Sequence, residues 1–283
     1  MTLIRKVVDS NGLQHPSLCK FLQASRRNHI VLTEPVNAEM HQDFALNTLR
    51  DRLQVARRFP GQVVLARNMK EASYFSSATS GLASRLLDLP HTAKFRRFCR
   101  DMYSGRDIAA VKETILANEA VAQRRRVREL GSAEGLVAVY QEIASNFSRP
   151  ELDELRLRKV YGEATQRKLV EIAFIQGNSI SPQERPESDR PEKIGDAVNQ
   201  FPFRYALAAT LLFTRWVEGG RQQNIKSAKL RNDVVDIGVA AYGTYFHGLA
   251  THDAKLIDIH RELRFILRSL RGYVPVTAGG QLW

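Results

Sequence analysis

The chain has 283 residues, 43% hydrophobic and 25% charged, ordinary values for a soluble globular protein of one large domain or two modest ones. Its formal net charge of +12 favours a polyanionic partner, nucleic acid ahead of an anionic membrane surface. Cys19 and Cys99 form no Cys-x-x-Cys pair, which argues against a thiolate metal site. The start "MTLIRKVVDSNG" lacks the apolar core of a signal peptide, and Arg204 and Arg215 cut the most apolar run below the ~20 residues of a spanning helix, so a cytoplasmic protein is expected.

In chain order, "TLIRKVVDSNG" reads as a strand, with β-branched Ile4, Val7 and Val8 closed by Asn-Gly. A helix follows, with Leu18, Phe21 and Leu22 at helical spacing. "HIVLTEP" is a second strand ending at Pro35, "VNAEMHQDFALNTLRDRLQVARRF" one long amphipathic helix, and "GQVVLARN" a third strand. Strand, helix, strand, helix, strand is the signature of a parallel sheet covered by helices. From Met69 to Gly177 the pattern is nearly all helical, and Asn178 to Gln200, rich in Pro, Ser and charge, reads as a linker that could gate access or bind a partner. The last part returns to α/β: helices in "FRYALAATLLFTRWVEGG" and "SAKLRNDVVDIGVAAYGTYFHG", a short strand "LAT", a helix with Leu256, Ile259, Leu263 and Ile266 on one face, and "YVPV" as a final strand. The expected organisation is therefore a sheet domain built from residues 1–68 and 201–283, with a helical insertion and linker over 69–200.

Open parallel sheets bind ligands at the C-terminal edges of their strands. Asp9 ends the first strand, Glu34 the second, with Glu39 expected in the first turn of the helix after it. Asp253 lies just beyond "LAT", and Asp233 and Asp236 share a helical face that continues into small residues, Gly238, Ala240 and Ala241. Carboxylates gathered at one edge repel one another unless a cation sits between them. Hard Mg²⁺ or Mn²⁺ suits oxygen donors, and two such ions support phosphodiester hydrolysis, one lowering the pKa of the attacking water and one stabilising the leaving oxygen. His15, His247, His252 and His260 fit no zinc pattern.

Four short stretches, "VVDSN", "VNAEM", "NDVVD" and "LATHD", occur in the order and settings of the PIN-domain nucleases, and the chain resembles that family over roughly residues 1–66 and 226–275, outside the helical middle. The resemblance implies a three-layer α/β/α sandwich with a parallel central sheet. It also implies Mg²⁺- or Mn²⁺-dependent cleavage of nucleic acid, RNA ahead of DNA, often as a toxin restrained by an inhibitory protein. Asp9, Glu39, Asp236 and Asp253 would be the catalytic, metal-binding carboxylates, with Asp233 an alternative or additional ligand. Ser10 stands where the family has Thr, Asn11 would hold the Asp9 loop by side-chain hydrogen bonds, and Thr251 would support Asp253. The long insertion departs from the family, so substrate choice and regulation do not carry over.

Basic stretches supply candidate phosphate contacts: Arg96 and Arg97 in "KFRRFCR", whose Phe95 and Phe98 read as core anchors, and Arg124, Arg125, Arg126 and Arg128 in "QRRRVRE". The expected partners are nucleic acid and an inhibitory or effector protein, with no membrane and with a homo-oligomer left open. Competing with the nuclease are a non-catalytic nucleic-acid- or protein-binding module on the same scaffold and a small-ester phosphohydrolase, although the net charge favours a polymeric substrate.

Overall fold

Four short apolar runs pair side by side in the computed structural model, which describes residues 3–42, 44–105, 108–157, 161–180 and 190–276, with backbone alone for 127–134 and 227. They are β1 (Ile4–Val8), β2 (Asn28–Leu32), β3 (Val63–Leu65) and β4 (Leu249–Ala250), all parallel in the order β3-β2-β1-β4. Val7 pairs with Val31 and Leu249, so the last strand of the chain lies beside the first, and the sheet draws on both chain ends. Val7, Val8, Ile30, Val31, Leu32 and Ala250 are essentially inaccessible, as a sheet covered by helices requires.

The helices come in chain order. The first five are α1 (Pro16–Ala24), α2 (Glu34–Met40), α3 (Ala45–Arg52), α4 (Gln54–Arg58) and α5 (Met69–Ser73). The middle of the chain supplies α6 (Leu82–Arg85), α7 (Leu89–Ser104), α8 (Ile108–Glu134), α9 (Leu136–Ser145), α10 (Arg149–Arg156) and α11 (Glu163–Ile180). After the short α12 (Ile194–Ala197) come α13 (Phe201–Glu218), α14 (Ser227–Gly243) and α15 (Ala254–Ser269). The protein is thus α/β, mostly helical around a small parallel sheet. No helix among the described residues is long and apolar enough to cross a membrane.

Helices α1, α7 and α14 pack against the sheet, and α8 lies across α2, α3 and α14. Apolar on nearly every side, α13 is buried among α10, α11, α14 and α15. The core is continuous: Val7 and Ile30 of the sheet, Phe95, Ile115 and Leu169 of the middle helices, and Leu211, Ile237 and Leu263 of the late ones belong to one buried cluster.

Two elements differ from the sequence expectation. The long helix expected over 36–59 is three short ones. Phe44 takes a left-handed φ of 61° at the start of α3, and Arg52 Nη1 donates to the carbonyls of Glu39, Met40 and Gln42 at 3.0, 2.8 and 3.0 Å, ending α2. The expected strand "YVPV" forms no ladder: Asn199 Oδ1 accepts from the Tyr273 amide, while Arg204 and Arg264 donate to the carbonyls of Tyr273 and Pro275.

Candidate functional site

Asp9 leaves β1 at its C-terminal end and is buried. Its Oδ1 accepts from the Gly12 amide at 2.6 Å, and its Oδ2 accepts from Thr251 Oγ1, beyond β4, at 2.5 Å. The tight turn needs Gly12, because a Cβ there would meet Ala250 O at 2.5 Å and Asp9 Oδ1 at 2.7 Å. Burial raises the Asp9 pKa; the Thr251 and Gly12 hydrogen bonds pull it down, and the Asp253 charge pushes it up again. Thr251 Oγ1 also accepts from the Asp253 amide at 3.0 Å, so one hydroxyl ties both acids together, a wider part than support of Asp253 alone. Asp253 caps α15, accepting from the Leu256 amide at 2.9 Å.

Asn11 does not hold this loop; it is exposed, its backbone is helical rather than the extended form of a capping residue, and it makes no capping bond, while Asp9 takes the Gly12 amide. Ser10 is half-buried in the same turn.

On α14, Asp233 and Asp236 face Lys255 near the start of α15. The ammonium bonds Asp233 Oδ1 and lies 3.6 Å from Asp236 Oδ2. Glu39 sits in the last turn of α2 rather than the first, because that helix starts at Glu34. A carboxylate at a helix C-terminus meets the negative end of the dipole, and Arg231 of α14 approaches Glu39 at 3.9 Å as counter-charge. Burial first, then the charges of Asp253, Asp233 and Glu39, push the Asp236 carboxyl up to about 7 against the opposing pull of Lys255. Five acids from four separated segments thus share one electrostatic neighbourhood at the C-terminal end of the sheet.

Among the described residues, no group of three or more His, Cys, Asp or Glu side chains is arranged to hold a metal ion. The donor set is nevertheless all carboxylate, the type a hard divalent cation takes, and a cation, the Lys255 ammonium, already lies against two of its members. Sequence reasoning passed over Lys255, although it stands two residues after Asp253 in "THDAKL". His252, on the other side of Asp253, packs its ring 3.7 Å from that of His15 and lowers the Asp9 pKa by its charge.

The raised Asp236 carboxyl gives a pH signature. The folded chain holds a proton near pH 7 that the unfolded chain, titrating at the ordinary 3.8, has released. The sign follows: stability present at low pH falls as pH rises from about 4 to about 7, by on the order of a few kcal/mol. Denaturation followed across that range without divalent cations should show the fall in wild type and a flatter profile in Asp236→Asn.

The other expected residues are placed elsewhere. Glu34 pairs with Arg125 at 2.6 Å and accepts from the Met69 amide, so Arg125 is turned inward, away from any phosphate. Arg96 donates to Gly61 O and Val63 O at the N-terminal end of β3, so it lies at the end of the sheet opposite the acids. Arg97 and Arg124 are exposed, Arg126 is half-buried, and the Arg128 side chain lies outside the described residues. Phe95 is buried and Phe98 packs partly buried against the core, as anchors should. No family model, curated protein or solved structure matches this chain.

Proposed function

We propose that the chain is a divalent-cation-dependent nuclease with a PIN-like three-layer core, cutting RNA in preference to DNA. The observation that carries this reading is the gathering of Asp9 and Asp253 on the Thr251 hydroxyl and of Asp233 and Asp236 around Lys255, at one sheet end. The charge of Asp253 raises the pKa of both Asp9 and Asp236, and a divalent cation is the ligand that would relieve that repulsion. Asp9, Asp236 and Asp253 would hold Mg²⁺ or Mn²⁺, with Glu39 and Asp233 at the margin. A bound ion would supply activation of water and neutralisation of phosphate charge. Thr251 and Gly12 fix the Asp9 carboxylate, and Lys255 would move off Asp236 and remain near the phosphate as a positive charge. A toxin restrained by a protein inhibitor is the setting the family resemblance suggests.

One observation favours a second reading. Lys255 already neutralises part of the cluster, as it would in a binding module that has no need of metal. Cleavage of labelled single-stranded RNA and DNA with Mn²⁺ separates the two. Wild type should cut RNA, chelator should stop it, and Asp253→Asn should cut far more slowly while staying folded, since Asn caps a helix about as well as Asp. Equal behaviour of wild type and variant would leave Asp253 a helix cap and favour the binding module.

A further inference from the structure

Helix α7 runs antiparallel to β3. Near its start, Thr92 Oγ1 accepts from the Leu65 amide at the C-terminal end of the strand; farther along, Arg96 bonds the Val63 carbonyl at the other end. Arg96, Arg100 and Tyr103 follow at i, i+4 and i+7, so they share one helical face. With Arg57 of α4 they line a cavity of about 510 Å³, and none of the described residues lining it is acidic.

Two of the three arginines that line this cavity are held in place. Arg96 is fixed by its bonds to Gly61 O and Val63 O. The Arg57 guanidinium stacks 4.3 Å from the Tyr103 ring centre, Arg50 approaches the same ring at 5.5 Å, and the Tyr103 hydroxyl donates to the Arg50 carbonyl. Arg57 and Arg100 are exposed. Cys99, at the cavity wall, is pushed up to about 12 by burial, so it stays a neutral thiol and adds no negative charge. The preset guanidinium groups of Arg57 and Arg96, with the exposed Arg100 beside them, suit phosphate in a concave site where arginines outnumber the one nearby acid, Asp51, whose charge reaches Tyr103. The Tyr103 face is already covered by arginine, so the site offers charge rather than a ring on which bases could stack.

We propose that this cavity is an exosite for the backbone phosphates of a single-stranded nucleic acid, at the sheet end opposite the acidic cluster. A strand gripped here would be held away from the point of cutting, without regard to base identity. The proposal rests on the nucleic-acid reading of the function, but it can be tested without cleavage.

The experiment is fluorescence anisotropy of a short labelled single-stranded RNA with the full chain in chelator, across a salt series. Arg57→Gln/Arg100→Gln should bind roughly tenfold more weakly at low salt and reduce the log–log salt slope by about 1.4, about 0.7 for each phosphate no longer neutralised. Arg57→Lys/Arg100→Lys should recover most of the slope. Arg167→Gln/Arg261→Gln, which removes equal charge from exposed, ion-paired positions on α11 and α15, should change little. Equal loss in the two Gln pairs would reduce the effect to net charge and overturn the proposal, as would no loss in either. Displacement of the strand by inorganic pyrophosphate at comparable concentration would make this a small-anion site and overturn the strand assignment. Cutting with Mn²⁺ while the arginine pair has no effect sinks the exosite alone. Strong pocket-dependent binding without cutting keeps the exosite and removes support from the nuclease reading.

Discussion

Arg204→Met is expected to destabilise the fold by about 2–4 kcal/mol, because buried acceptors are left without a donor while the desolvation cost of the charge is relieved. Arg204 is fully buried in α13. Its guanidinium donates to Val198 O at 3.0 Å, Thr244 Oγ1 at 2.9 Å, Asn199 Oδ1 at 2.9 Å and Tyr273 O at 2.7 Å, and stacks 4.0 Å from the Tyr245 ring. These partners lie on the entry to α13, at the end of α14 and in the segment after α15, so one side chain joins three parts of the late fold. All of them are neutral, so no carboxylate among them repays the desolvation, and burial lowers the arginine pKa. Removing the guanidinium strands several buried acceptors, each worth about 1–3 kcal/mol when left unsatisfied. Asn199 Oδ1 keeps the Tyr273 amide at 2.7 Å, which softens the loss by one bond. Since domains of this kind are stable by only about 5–15 kcal/mol, the variant should lose a large part of its urea midpoint, and Arg204→Lys should fall between. A loss below about 1 kcal/mol would mean that the network is dispensable, against the usual behaviour of buried unpaired groups.

Arg204 also shows where sequence reasoning stops. In the sequence it looks like an interruption of an apolar run; only the fold shows that its guanidinium makes four hydrogen bonds to three parts of the late fold. The strands β1 and β2 were legible because β-branched runs closed by turn residues are local signals. The break of the 36–59 helix was not, because it depends on Arg52 reaching back across the chain to three carbonyls, with no Pro or Gly to announce it. The position of the acids followed from the rule that strand ends converge, so Asp9 and Asp253 were legible. Glu39 was misplaced by one helix boundary, which set it at the wrong end of α2. The pairing of Arg125 with Glu34 was hidden by the long stretch of chain between them. A charge run cannot reveal which of its members is turned inward. Lys255, by contrast, was visible beside Asp253, and a search for counter-charges as well as acids would have found it.

Asp9→Asn should separate folding from activity most cleanly. The carboxylate is buried, and its pKa is raised by burial and by Asp253 despite the bonds from Thr251 and Gly12. The sign is that of a raised acid: above its ordinary titration range its charge opposes folding, so an uncharged isostere removes a penalty. Asn keeps a carbonyl for the Gly12 amide and offers an N–H to Thr251 Oγ1, so without divalent cations the variant should be as stable as wild type or slightly more so. With Mn²⁺ the order should reverse. Wild type at a cation concentration about 100 times its Kd gains about 2.7 kcal/mol, whereas a variant that has lost a ligand gains little. Cleavage should fall by roughly 100- to 1000-fold, since a metal supplies several kcal/mol of charge stabilisation in such a reaction. Thermal unfolding with and without Mn²⁺, beside the RNA cleavage assay, reads all three effects on one pair of proteins. If Asp9→Asn loses stability without metal and cuts as wild type does, Asp9 is a turn-forming residue and the acids at this end of the sheet do not form a catalytic centre.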